Sequence, residues 1–485
     1  MRKWTTILLL CTMLTGMCAC GGAKTDTEPS DAESNTPDTV AETEPETKYN
    51  YLSALPKTSY DGFAFRILAL PQDSCPGIQS FWADEPNGEI INDTVYARNL
   101  YVEELYDISI TYESQTSAVK QINTLVKAND DTYAMVSDEA KEHMSYSTQG
   151  IFSNLNAIQS IDFSMPWWYA DAVDALTIAG KLYAGYSDIN TQIKERVACE
   201  FVNLDMATDN GMADPYQLVF DGKWTLDTMR EMAEAAARDL NSDGKLSKDD
   251  IGGYVVGIGS YNVLINGAGC PLATKNADGS VTINYGSEAF INAAEKVAAL
   301  VNNPAYTVYL NDNAWGMDMF NGGGALFREG NLYIYNDLRE FDSHFGVLPV
   351  PKYDETQEKY RSMMNNSSMG VSIPVSVQDP EQIGTILEAL NAYSYMYLKD
   401  AYYETMLKGK LARDEQSAQM LDIITENIVV DYGVINENTW GNVISSWLSS
   451  MHTQGAGGLS SLAVQNAEKF DALYTKIVTA YESQP

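Results

Sequence analysis

Near the start of the chain, strand-like runs alternate with helical ones, and that alternation constrains the fold more than any other feature. "FAFRILAL" at 63–70, "ISITYE" at 108–113 and "TYAMVSD" at 132–138 read as strands. The runs between them, "NGEIINDTVYARNLYVEELYD" and "SAVKQINTLVKAND", read as helices. A helix inserted between two strands carries the chain back across a sheet, so the next strand runs parallel to the first. The pattern therefore predicts an α/β fold with parallel strands. It continues through strand-like "KLYAGYSDIN", "RVACEFVNLDMA" and "IGGYVVGIG", the helical "SEAFINAAEKVAALVNN", and the strand-like "GALFREGNLYIY" and "FGVLPVPKY". From about residue 380 the chain is mostly helical, and no internal repeat is visible.

The N-terminus sets the compartment. Arg2 and Lys3 precede the short apolar run "TTILLLCTMLTGM". That is an export signal, too short for a retained membrane span. It ends in "MCACGG", which resembles a bacterial lipobox with Ala19 before the acceptor Cys20. Cys18 is a second candidate, and an ordinary cleavage near Ala19 is the alternative. Residues 21–50 are acidic and rich in Pro, Ser and Thr, so they cannot bury a core and read as a disordered tether. Together these features predict a protein lipid-anchored to the cell membrane on its extracellular face, with the signal over 1–20.

Charge and cysteine usage exclude several classes. Lys and Arg number 31 against 66 Asp and Glu, a net charge of −35, so a phosphate backbone finds no basic surface. Beyond the lipobox only Cys75, Cys199 and Cys270 remain, an odd set without metal spacing. His143, His344 and His452 are far apart and form no zinc motif.

"DLNSDGKLSKDD", 239–250, has the spacing of a calcium loop. Calcium needs oxygens at alternate positions around a sharp turn. Asp239, Asn241 and Asp243 stand at positions one, three and five, Gly244 makes the turn at six, and Lys245 offers a carbonyl at seven. Ser247 stands at nine, and Asp250 closes the loop where a longer Glu is usual. The bland reading is a solvated Asp/Asn turn. There is no second such loop, and a strand-like run follows instead of a helix, so no helix pair is available to open as in a sensor. The expectation is a structural calcium.

Several stretches together resemble the family 1 extracellular solute-binding proteins. "PYQLVFDGKWTLDTMREMAEAA" is similar to that family's Gly-Lys-Trp-Thr helix start, and "FVNLDMATDNGM" to its strand-then-helix segment. "FNGGGALFREGNLYI" and "FGVLPVPKYDE" resemble the later strand pair, and "SSMGVSIP" the return crossing. The likeness spans most of residues 60 to 440, and with the lipobox it suits a lipoprotein of a Gram-positive, Clostridia-like bacterium. It departs where the family's usual Tyr is Val202. The resemblance implies a two-lobed, periplasmic-binding-protein-like (type II) clamp with hinge crossings and a helical C-terminal part. One lobe would hold 55–188 and 363–410, the other 191–360 and 411–485, with crossings near Asp188–Thr191 and Tyr360–Ser368. It further implies a monomer that delivers a small molecule, a sugar by preference, to ABC-transporter permease subunits.

A sugar presents apolar C–H faces and a rim of hydroxyls, so its site needs aromatic platforms and planar polar groups. The candidates are Trp82, Asp84 and Glu85 after the first strand, and Trp167, Trp168 and Asp171 before the first crossing. Trp315, Arg328 and Tyr335 come from the second lobe's strand region, Asn365 and Asn366 flank the return, and Trp440 lies in the helical tail. Core packing is the commoner fate of a single Trp or Tyr. The adjacent Trp167–Trp168 pair is expected to point to opposite sides, one inward and one to the cleft. Two other functions compete with transport. A surface lipoprotein could retain glycans or a partner, and a glycoside hydrolase would need two carboxylates roughly 5 to 9.5 Å apart. No nucleophile motif supports an enzyme.

Overall fold

A computed structural model describes residues 50–71, 80–312, 314–338, 343–408, 415–440 and 443–484. The export signal, Cys18, Cys20, the tether to residue 49 and Cys75 lie outside the described residues.

Strand β1 (Phe63–Ala69) pairs in parallel with β2 (Ile108–Ser114) and with β3 (Met135–Glu139). Helix Ile90–Tyr106 makes the first return. It ends at Asp107, whose φ of 51° takes the left-handed conformation that Asp tolerates at a helix end. Helix Ala118–Lys127 makes the second return. The chain then passes to a second sheet through β4 (Ala198–Asn203), all six residues of which are buried. Strands β5 (Gly252–Val256), β8 (Thr307–Tyr309) and β9 (Ala325–Asn331) belong to that sheet. So does β10 (Phe345–Leu348), while β6 (Ala273–Lys275) and β7 (Val281–Ile283) form a separate hairpin. The return passage holds β11 (Ser362–Met363), paired with β13 (Ile428–Val429), and β12 (Met369–Ser372) closes the first sheet. The sheet orders are β12-β3-β1-β2 and β10-β4-β9-β5-β8.

The predicted parallel pairing holds wherever a helix carries the chain back, as in β1–β2, β1–β3 and β5–β8. It fails at β4–β9, β10–β4 and β12–β3, which are antiparallel. Strands β4 and β12 are entered from the passages between sheets, so no crossover fixes their direction. "KLYAGYSDIN" is not a strand either; it makes only isolated bridges, at Lys181, Gly185 and Ser187.

Local chemistry places the helices. Asp214 and Asp379 cap helices that begin with proline, and Thr225 caps Leu226–Ala236 through its hydroxyl. That last helix lies so close to β5 that a Cβ on Gly253 would stand 2.1 Å from the Ala233 carbonyl oxygen. Only glycine fits there. The last helix, Leu459–Ser483, is about 37 Å long at 1.5 Å per residue. Near its end Lys181 donates to the Tyr481 carbonyl, and the Tyr481 hydroxyl donates to Ser147. Further back, Tyr285 donates to the Leu462 carbonyl and Tyr474 to that of Gly279. One helix thus touches segments on both sides of the passages.

Candidate functional site

The two passages run side by side. Val197 bridges Met364 in antiparallel fashion, and the Asn365 amide donates to the Arg196 carbonyl at 3.0 Å. Every residue from Ser187 to Val197 is buried. A buried backbone must find its hydrogen bonds within the protein, and Arg98 supplies many of them. Its Nη1 donates to the Ile189 carbonyl at 2.8 Å and to Ser394 Oγ at 3.1 Å. Its Nη2 donates to the Ser80 and Phe81 carbonyls at 2.9 and 3.0 Å, and its Nε to Asn99 Oδ1. All five donors are used, and every acceptor is neutral. Burial without a carboxylate pulls this guanidinium down to a pKa of about 9. Ser394 opens a π-type turn, Ser394–Leu398, that widens the helix running from Pro380 to Lys408. The turn presents Ser394 to Arg98 and Tyr395 to the cavity beside the passages.

That cavity has a volume of about 460 Å³, within the usual range for a small-molecule site. Four aromatic residues line it: Trp168, Tyr169, Tyr360 and Tyr395. Asp188 and Lys194 come from the first passage, Lys359, Arg361 and Met364 from the return, and Thr425 to Val430 from the segment leading into β13. Within the wall, Lys194 Nζ meets Asp188 Oδ1 at 2.5 Å, and the Tyr169 hydroxyl donates to the same oxygen at 3.0 Å. Burial, with the Asp188 charge adding to it, holds the Tyr169 phenol far above its ordinary range. Aromatic faces, amides and charged groups on one cavity are the equipment for binding a polar molecule with apolar faces.

The sequence candidates are not all here. Trp168 and Asp171 line the cavity; Asp171 is exposed in the first turn of helix Ala170–Leu176. Of the Trp167–Trp168 pair, Trp168 lines the cavity and Trp167 does not, though the two do not turn to opposite sides. Both rings are buried, and both indole N–H groups donate to Glu388, at 3.1 and 2.8 Å. The Trp168 amide closes a turn onto the Met165 carbonyl, so the two-residue alternation of a strand does not apply. Burial lifts the Glu388 carboxyl to about 7, although both indoles favour its charged form.

Trp82 donates to Asp84 beside it, and Glu85 is exposed; none of the three lines this cavity. Trp315 begins helix Trp315–Asn321. Arg328 is buried in β9 and donates to Asn321. Tyr335 is not in the strand, which ends at Asn331; it opens the short helix Tyr335–Leu338 and is buried. Asn366 gives its amide to Glu437 at 2.6 Å, Asn365 accepts from Ser367, and Trp440 is wholly buried. The sequence reading missed Tyr169, Lys194, Arg361 and Tyr395 as cavity residues. No motif marks them, and only their closeness to the predicted crossings was a signal.

The 239–250 loop stands apart from this cavity. Gly244 has a φ of 85°, as the sharp turn requires. Asp239 accepts from the Asp243 and Gly244 amides, Asn241 from Asp243, and Asp243 from Lys245. Asp250 accepts from Leu240 and from both the amide and hydroxyl of Ser247, and these bonds hold its pKa below the ordinary value. The donor types suit a hard cation. Yet among the described residues no three His, Cys, Asp or Glu side chains gather as metal ligands. The loop spends its side-chain oxygens on its own backbone. The described cysteines, Cys199 and Cys270, are free thiols.

No protein-family model and no curated protein matches the chain. Solved structures do. An ABC substrate-binding protein of Listeria monocytogenes in complex with cycloalternan shares 12% identity at a TM-score of 0.53, over 85% of this chain and all of that one. A sugar transporter from Rhizobium etli, in an open conformation, shares 13% at 0.56, over 87% and 100%. UgpB from Mycobacterium tuberculosis in complex with glycerophosphocholine shares 12% at 0.55, over 86% and 98%. At such identities the likeness defines the fold: a two-lobed α/β clamp of the periplasmic-binding-protein type.

Proposed function

We propose that this protein is the extracellular substrate-binding component of an ABC transporter, that its ligand is a carbohydrate, and that Cys20 carries a lipid anchor. The observation that carries the reading is the cavity of about 460 Å³ set along both passages and walled by Trp168, Tyr169, Tyr360 and Tyr395. A ligand there touches segments before, within and after the passages, so its contact energy couples to the angle between lobes. The fold likeness to sugar-binding transport proteins supports the same reading. Among the described residues no helix is long and apolar enough to cross a membrane. The proposed lobe boundaries are those implied by the family resemblance.

Glu200 and Glu329 face each other across β4 and β9; Glu200 is buried and accepts from Tyr254, Glu329 is half-buried and accepts from Ser260, and neither lines the cavity. A calcium ion in the 239–250 loop belongs to this reading through donor chemistry alone, as a brace remote from the ligand.

Thermal shift of the purified full-length protein against mono- and oligosaccharides tests the proposal, with product analysis alongside. A ligand at about 100 times its dissociation constant adds ~2.7 kcal/mol. The expected result is a shift with one glycan class and no product. Product formation, or no shift with any saccharide, contradicts the reading.

A further inference from the structure

The cavity gathers positive charge on a strongly acidic chain. Lys and Arg are outnumbered 31 to 66, yet Lys194, Lys359, Arg361 and Lys399 all line this one space. Among the described residues its acids are Asp171, Asp188 and Glu426. Lys194 and Asp188 are bonded to each other, which leaves three cations to two acids on a protein that is otherwise strongly negative. Lys359 is exposed, and Lys399 sits 5.5 Å from the centre of the Tyr403 ring.

Arg361 differs from the lysines. Its Nε is out of contact with solvent and has no hydrogen-bond partner among the described residues. That buried inner end anchors the side chain in the wall and leaves the two Nη groups for a ligand. The end of a guanidinium, its two Nη groups, is a planar fork that matches the two oxygens of a carboxylate.

We propose that the ligand is an acidic saccharide whose carboxylate is taken by Arg361, with Lys359 and Lys399 supplying the attracting field. This rests on the carbohydrate-binding reading above and narrows it. Because the fork sits in the return passage, the acidic sugar ties its own charge to the hinge. Asp171 and Glu426 remain to accept hydroxyl protons.

The experiment is calorimetric titration of the full-length protein with three size-matched probes: a neutral oligosaccharide, an oligogalacturonate and a sulfated oligosaccharide. The oligogalacturonate is expected to bind tightest, with an affinity that falls as salt rises. Arg361→Gln should weaken it roughly 10- to 100-fold, a loss well beyond the one it causes for the neutral oligosaccharide. Arg361→Lys should recover only part of the loss, since a point charge lacks the fork. Should Arg361→Gln fold poorly, Lys359→Ala with Lys399→Ala must still weaken the oligogalacturonate and flatten its salt dependence. Neutral sugars binding as tightly as the uronate overturn the proposal and leave the carbohydrate reading standing. Tighter binding of the sulfated probe overturns the carboxylate assignment. Binding of none of the three removes the carbohydrate reading itself.

Discussion

The 239–250 loop and the first passage, Asp188 to Arg196, are opposites. The loop has the sharpest signature in the sequence and lies largely exposed, bonded almost entirely to itself. The passage has no signature, yet it is buried throughout and tied to partners up to about 200 residues away in sequence, such as Ser394 through Arg98. A motif reports local geometry. It says little about where the free energy that orients two lobes is concentrated.

If that contrast is right, substitutions in the passage network cost far more than those in the loop. Arg98→Met should be the most severe. It strips the Ser80, Phe81 and Ile189 carbonyls of a buried donor, and a loss of about 4 kcal/mol in denaturant unfolding is expected. Asp188→Asn should cost about 3 kcal/mol, because it leaves the Lys194 ammonium buried without its counter-charge. A loss below about 1 kcal/mol in either case would show that the passage is merely buried and not a fastening.

Glu388 sharpens the comparison through pH. Its carboxyl is raised from 4.5 to about 7 by burial, so between those values the folded protein binds a proton that the unfolded chain releases. That contribution is complete below about pH 4.5 and is lost as pH rises through 7, so stability should fall over this window by up to roughly 3 kcal/mol. Asp138, raised to about 6, adds a fall of the same sign. Glu388→Gln should flatten its share of the pH profile of melting temperature; an unchanged profile would show that the two indoles already hold the carboxylate charged.

The loop should show the smallest effects. Gly244→Ala at a φ of 85° is expected to cost about 1 kcal/mol. Calcium at ten times its dissociation constant should add about 1.4 kcal/mol, abolished by Asp243→Asn. No change in melting temperature between calcium and chelator would remove the ion from the account.

Much of the fold was legible because it is local. β1, β2, β3 and the helices between them follow from runs of a few residues, and the helix start at Thr225 matches the Gly-Lys-Trp-Thr resemblance. The site was not, because it is assembled from segments near residues 170, 190, 360, 395 and 427. Arg98 looks like any helical arginine until Ile189 and Ser394 are folded against it. Trp167 and Trp168 were visible as a pair, but their common partner Glu388 lies 220 residues on. The antiparallel strands were misread because a passage between sheets leaves no periodic trace.

The most direct test of the central claim is a crystal structure of the protein with the saccharide that gives the largest thermal shift. The account predicts ligand density along the two passages, against Trp168, Tyr169 and Tyr360, with an acidic group on Arg361. Density at another site, with this cavity holding only solvent, would contradict it.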